Sequence, residues 1–118
     1  VSSRNLRDKK ILESEVFKKL MLAISGGENV KFEDWDELFA TVNRIYPSYK
    51  DNIAKFCRMS EIQMKVCVLL KIGVSFSDIS VLVIRSKDTV YSICTRLYFK
   101  NFKTKGTASK WAELMRSL

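Results

Sequence analysis

Gly73–Lys100, GVSFSDISVLVIRSKDTVYSICTRLYFK, decides how this chain is read. Ser75 stands before an apolar set at Ile79, Leu82 and Val83, and Val74 with Ile79 makes a hydrophobic staple around that cap. Ser86 reads as a second N-cap, followed by Val90, Ile93, Cys94, Leu97 and Tyr98 at helical spacing. The pattern predicts two short helices joined by a tight turn, the second running from Lys87 to about Asn101. One face of that second helix belongs to a core. The other carries Lys87, Thr89, Tyr91, Ser92, Thr95, Arg96 and Lys100. Short hydrogen-bonding side chains flanked by cations are what a helix needs to touch base edges and phosphates.

Gly73-x-Ser75-x-x-Asp78-Ile79, Val83, Ser86, Thr89-Val90 and Leu97 resemble the G-x-S-x-x-E-I-A…L…S-x-x-T-V…R-x-x-L pattern of LuxR-type helix-turn-helix domains. Those domains are output modules of many bacterial response regulators. Met59-Ser60-Glu61-Ile62-Gln63 resembles the L-T-x-R-E opening of the same family, so the likeness runs from about Met59 to Phe102. Departures are Ile84 and Arg85 in the turn, Phe76 at a place usually polar, and Cys94 inside the second helix. The resemblance implies a tetrahelical unit whose second paired helix lies in the major groove of double-stranded DNA. Tyr91, Ser92 and Thr95 are then expected at base edges. Ser75, Arg85, Ser86, Lys87, Thr89, Arg96, Lys100 and Lys103 are expected at phosphates. Ile84 is expected to take over the apolar plug of the turn. Arg85 is expected to reach solvent, Asp88 or a phosphate, because burying it unpaired is costly.

The whole chain has 118 residues, 47% of them hydrophobic, with one Pro and four Gly. That composition suits one compact all-α bundle, a helix-turn-helix preceded by two to three extra helices. The division expected is 1–58 as an N-terminal helical extension and 59–118 as the DNA-binding domain. The extension would support, dimerise or link to an upstream sensor region, since the chain opens on Val1. No run reaches membrane-spanning length and no signal peptide is visible. Cys57, Cys67 and Cys94 lack C-x-x-C spacing, and the inference is a reduced, cytoplasmic setting. No histidine is present, which removes Cys/His zinc fingers and His-dependent nucleophilic catalysis. Without paired carboxylates, a phosphate-cradling glycine loop or a nucleophile elbow, no enzyme, cofactor or metal is expected.

Outside the central stretch, Leu6 to Ser25 reads as one helix stopped by Gly26-Gly27. Its arc of Leu12, Val16, Leu20 and Ile24 either pairs with another subunit or packs on the same chain. A second helix covers VKFEDWDELFATVNRIYP, with Trp35, Leu38, Phe39, Val42, Ile45 and Tyr46 on one side. The acids Glu33, Asp34, Asp36 and Glu37 complement its dipole better than they would chelate a metal. Tyr49, Ile53, Phe56 and Cys57 mark a face after Pro47. Ser60-x-x-Gln63 is a capping box that opens a nearly all-apolar, hence central, helix. After KTKG, Trp111, Leu114, Met115 and Leu118 line a terminal helix, which the resemblance assigns to dimer contacts and simple packing assigns to the core.

Formal net charge is +8 at pH 7. Arg85 to Lys110 alone holds seven cations and one acid, Asp88, so the excess follows the expected DNA-reading element. The leading expectation is a sequence-specific transcription regulator domain that forms a weak homodimer. The alternative is a protein-interaction module similar to sigma-factor region four, contacting RNA polymerase with little DNA affinity of its own.

Overall fold

Serine and threonine hydroxyls mark where this chain turns into helix. The computed structural model describes residues 3–26 and 29–118, with 3–5 described by backbone alone. Among the described residues are eight helices and no strand: α1 (Ser3–Glu13), α2 (Glu15–Ile24), α3 (Phe32–Ile45), α4 (Tyr49–Ile53), α5 (Glu61–Lys71), α6 (Phe76–Val83), α7 (Lys87–Phe102) and α8 (Ala108–Ser117). Five begin on a hydroxyl that accepts from the backbone N–H three residues on: Ser14, Ser60, Ser75, Ser86 and Thr107. At Ser60 the capping box is reciprocal, with Gln63 Oε1 accepting from the Ser60 N–H at 2.9 Å.

The N-terminal segment corrects one expectation. The apolar period predicts a single helix from Leu6 to Ser25, but the chain breaks at Ser14, whose ψ of 150° is extended. Its hydroxyl donates to the Ile11 carbonyl at 2.7 Å and accepts from the Phe17 N–H, so one side chain ends α1 and starts α2. Gly26 follows α2 with φ +97°, while Gly27, its partner in the expected stop, lies outside the described residues. After Pro47 only Tyr49–Ile53 is helical, shorter than the face from Tyr49 to Cys57 suggested.

Around α5 the core is nearly complete: Val66, Cys67, Val68, Leu69 and Leu70 are all buried. One cluster runs from Ile11 through Leu20, Leu38, Val42, Tyr49 and Ile79 to Trp111 and Met115, so the first three helices and the last four share an interior. The Cα radius of gyration is 13.8 Å, close to the roughly 13.5 Å of a compact chain of this length. Phe56 packs edge-on against Trp111 at 5.6 Å, which carries the irregular stretch after α4 into that interior. Asn101 ties the same stretch to α7, accepting from the Cys57 N–H and donating to the Leu97 carbonyl, both at 2.8 Å.

Two turns place the paired helices. After α5, Gly73 (φ +87°) and Val74 send their N–H groups back to Leu70 and Leu69, each at 3.0 Å, closing a Schellman turn. After α6 the left-handed position is held by Ile84, φ 56° and ψ 53°. A β-branched residue there is strained. Ile84 is also 63% exposed, so it does not plug the turn as the sequence suggests; Leu82 and Val83 fill that place.

Replacing Ile84 by Gly removes the Cβ penalty, and the variant is expected to gain about 1 kcal/mol in urea unfolding, net of the extra freedom of the unfolded chain. A loss of stability would mean that the Ile84 side chain holds the turn. A second expectation concerns alkali. Burial pushes the Cys67 and Cys94 thiols up from 9.0 to about 12. The folded state therefore keeps protons that the unfolded chain releases above pH 9. Stability is full below that pH and falls as pH rises towards 12. Urea midpoints at pH 7, 9 and 10.5 should show a small decline in the first step and most of it in the last, with Cys94→Ala reducing its slope.

Candidate nucleic-acid interface

The turn Ile84–Ser86 joins α6 to α7, and both helices start on serine caps with distances of 3.2 Å (Ser75 Oγ to the Asp78 N–H) and 3.1 Å (Ser86 Oγ to the Thr89 N–H). Val90, Cys94 and Leu97 turn α7 into the core. The remaining sides face water. Asp88, Ser92, Arg96 and Phe99 are exposed along its outer surface, with Lys87, Thr89 and Lys100 beside them.

Arg85, Lys87, Arg96, Lys100, Lys103, Lys105 and Lys110 are all exposed, and none forms an ion pair among the described residues. Elsewhere several cations are matched, though Arg7, Lys10, Arg44, Lys50, Lys55 and Arg58 form no ion pair among the described residues either. Lys18 meets Glu15 at 3.2 Å, Lys65 meets Glu61 at 3.2 Å, and Arg116 meets Asp8 at 3.4 Å. Lys19 meets Asp34 at 3.5 Å and Glu37 at 3.2 Å, which gives two of the α3 acids a partner on α2. The surface formed by the turn, α7 and the loop before α8 is thus a field of unbalanced positive charge.

Individual side chains differ from what the sequence suggests. Tyr91, expected at base edges, is half-buried, its ring edge-on to Phe76 at 4.9 Å and the Lys87 ammonium 5.6 Å above it. It serves as a spacer between α6 and α7, and this explains an aromatic residue at position 76. Thr95 is also half-buried and donates its hydroxyl to the Ser92 carbonyl at 3.1 Å, whereas Ser92 is free to point outward. Arg85 is exposed to solvent, one of the expected outcomes, and does not reach Asp88; its guanidinium also donates to the Ile84 carbonyl at 3.0 Å, at the C-terminal end of α6. Ser86 Oγ lies 2.9 Å from Thr89 Oγ1, so two of the expected phosphate contacts form one cap. Lys103 closes α7 in the left-handed region, φ 56°.

The expected dimer faces are largely occupied. Val16, Leu20 and Trp111 are buried in the chain's own core, and Ile24, Leu114 and Leu118 are half-buried against it. They face inward because α2 packs on α3 and α6, and α8 packs on α5 and α7. Leu12 alone of the set is well exposed. One surface residue went unmarked in the sequence, Phe99, which is 53% exposed, and Asp88 was marked only as the one acid of the field and a partner for Arg85. Apolar Phe99 reads as core by type, and only its place on the outer line with Ser92 gives it away.

No group of three or more His, Cys, Asp or Glu side chains that could hold a metal ion occurs among the described residues, and no helix there is long and apolar enough to cross a membrane. No family model, curated protein or solved structure matches this chain.

The cap and its neighbour separate by experiment. Ser86→Ala is expected to cost about 1 kcal/mol of stability, because the Thr89 N–H loses its acceptor. Arg85→Ala, at an exposed position, should stay within about 0.5 kcal/mol of the parent. Equal losses in urea titrations would make Arg85 a structural clasp of the turn.

Proposed function

We propose that this chain is a DNA-binding domain of a transcription regulator, with α6 and the turn on the backbone and α7 in the major groove. The observation that carries the reading is the set of six exposed cations without ion pairs among the described residues, on one capped helix–turn–helix unit and its following loop, with a seventh, Lys110, in the first turn of α8. Unmatched charge of one sign on one surface raises the local concentration of a polyanion and is released into it as counterions leave. A LuxR-type likeness in the same residues supports the same reading.

Within it, the N-terminal half of α7 reads bases. Ser92 suits either groove partner, and Asp88, the one acid in the field, accepts from the amino group of cytosine. Its carboxylate also lies in the first turn, where it complements the helix dipole. Lys87 and Arg96 take phosphates on the two sides. A module of this size addresses only a few base pairs, so two copies on a symmetric site complete the recognition. Leu12 and any upstream region would supply the pairing, since Val16, Leu20 and Trp111 are committed to the core.

The second reading, a protein-contacting module, draws on Val81 and Ile84, both exposed beside the turn. Salt separates the two. As a DNA-binding domain, the parent's affinity for duplex should fall steeply from 50 to 200 mM salt. Lys87→Ala and Arg96→Ala should each flatten the log–log slope by about one unit. Asp88→Asn should bind all sequences more tightly while losing preference for a C·G pair in sites selected from random DNA. A flat salt response, or no binding, would favour the protein-contacting module.

A further inference from the structure

The second half of α7 does not face open water alone. Its outer side and the loop leading to α8 enclose an open groove of about 610 Å³, lined by Thr95, Arg96, Phe99, Lys100, Lys105 and Gly106. Three of the six lining residues are cations, none is an acid, and none of the three has an ion pair among the described residues. Phe99 stands exposed between them.

The loop wall is fixed in place. Gly106 lies flat on the Tyr98 ring, and a Cβ there would overlap the ring carbons Cδ1 and Cε1. The Tyr98 ring in turn packs against Phe102 at 4.8 Å, and Phe102 against Phe56 at 6.2 Å. Lys103 ends α7 by sending its N–H to the Phe99 carbonyl at 2.8 Å, so the chain doubles back immediately. Any side chain at position 106 pushes the loop, and Lys105 with it, away from Arg96 and Lys100. The shape of the groove therefore depends on a glycine that no turn conformation requires.

We propose that this groove is a clamp for one strand of a DNA duplex, with Arg96, Lys100 and Lys105 on phosphates and Phe99 against the sugars between them. The proposal rests on the DNA-binding reading above and adds to it a second contact, outside the base-reading half of α7. Guanidinium and ammonium groups match phosphate oxygens, and an apolar ring among them suits the uncharged deoxyribose edge. The approach of Gly106 to the Tyr98 ring sets where the loop carries Lys105, so the ordering cost of binding falls on the exposed cation side chains.

The test uses the full 118-residue chain and a duplex of random sequence, titrated between 50 and 300 mM salt. Lys105→Gln should flatten the salt slope by about one unit and weaken binding about fivefold at 0.15 M salt. Phe99→Ala should weaken binding with the slope unchanged. Gly106→Ala should weaken it with the number of charges unchanged, checked against a urea melt for intact folding. Lys10→Gln, which removes a cation from α1, should leave both quantities alone. If the parent binds duplex while Lys105→Gln and Phe99→Ala match it, the clamp is refuted and the DNA-binding reading stands. If the parent shows no salt-dependent binding to duplex, both fall. Tighter binding to a single-stranded oligonucleotide than to the duplex would also overturn the clamp, and would assign Phe99 to base stacking.

Discussion

Lys71 brings a full charge to the end of α5 at 6% exposure, and its Nζ donates to the carbonyls of Arg116 and Leu118 at 3.1 and 3.2 Å. Desolvating an ammonium costs several kcal/mol unless donors and charge are well met. Here the carbonyls at the end of α8 meet it, and the rings of Tyr46 and Tyr49 lie 4.6 and 5.8 Å from the cation. Arg116 answers by donating to the Lys71 carbonyl at 2.8 Å and to Asp8 at 3.4 Å, and Asp8 accepts from the Tyr46 hydroxyl at 2.5 Å. Side chains of α1, α4, α5 and α8, with Tyr46 just after α3, thus meet at one junction. Burial, then the neighbouring Asp8 carboxylate, raises Tyr46 above its ordinary value, so its hydroxyl stays a donor. Gly73 adjoins this junction, with the Arg116 guanidinium 3.1 Å from where a Cβ would be. Since α6 departs from that glycine, the direction of the helix–turn–helix unit is inherited from the Lys71 contacts.

Charge is distributed on a different principle from burial. Acids in the first half of the chain hold cations across helices, as Asp34 and Glu37 hold Lys19, and the net result there is close to neutral. From Arg85 to Lys110 cations are placed without ion pairs among the described residues, against the mutual repulsion that spreading them would relieve. A field of one sign is a small liability for folding and a large asset for meeting a polyanion. The apolar core spanning both regions makes this asymmetry a property of one body, so the neutral half orients the charged face rather than diluting it.

The elements most legible in the sequence were those with a chemical signature at their start. Ser60, Ser75 and Ser86 cap where their spacing says, and the unbroken apolar run of α5 announces its burial. Ser14 was hidden because an apolar period continues across it on both sides; only the competition of its hydroxyl for the backbone reveals the break. Tyr91 read as outward because tyrosine is at home on either side of a helix, and its burial depends on Phe76, a residue of another helix. Ile84 read as a plug because isoleucine is apolar, yet the turn needs a left-handed residue there, and backbone geometry places the side chain in water. Lys105 and Phe99 lie six residues apart, and their shared groove exists only once Gly106 has folded the loop back on Tyr98.

What these particulars have in common is that α7 is fastened at both ends and bare in the middle. Its start is held by the Ser86 cap and by the Phe76–Tyr91 contact, its end by Asn101 and by the Tyr98–Phe102 pair beneath the loop. Between them Ser92 and Arg96 face water, with the rest of their turns anchored by Val90, Cys94 and Leu97. A helix held this way loses little backbone freedom on meeting a ligand, so side-chain contacts appear in affinity with a small ordering cost. The strained residue, Ile84, lies in the turn and not in α7, where a shift would displace every contact at once. Rigidity is therefore concentrated in the element that would have to keep register with a groove, and strain is left in the connection, where one residue absorbs it.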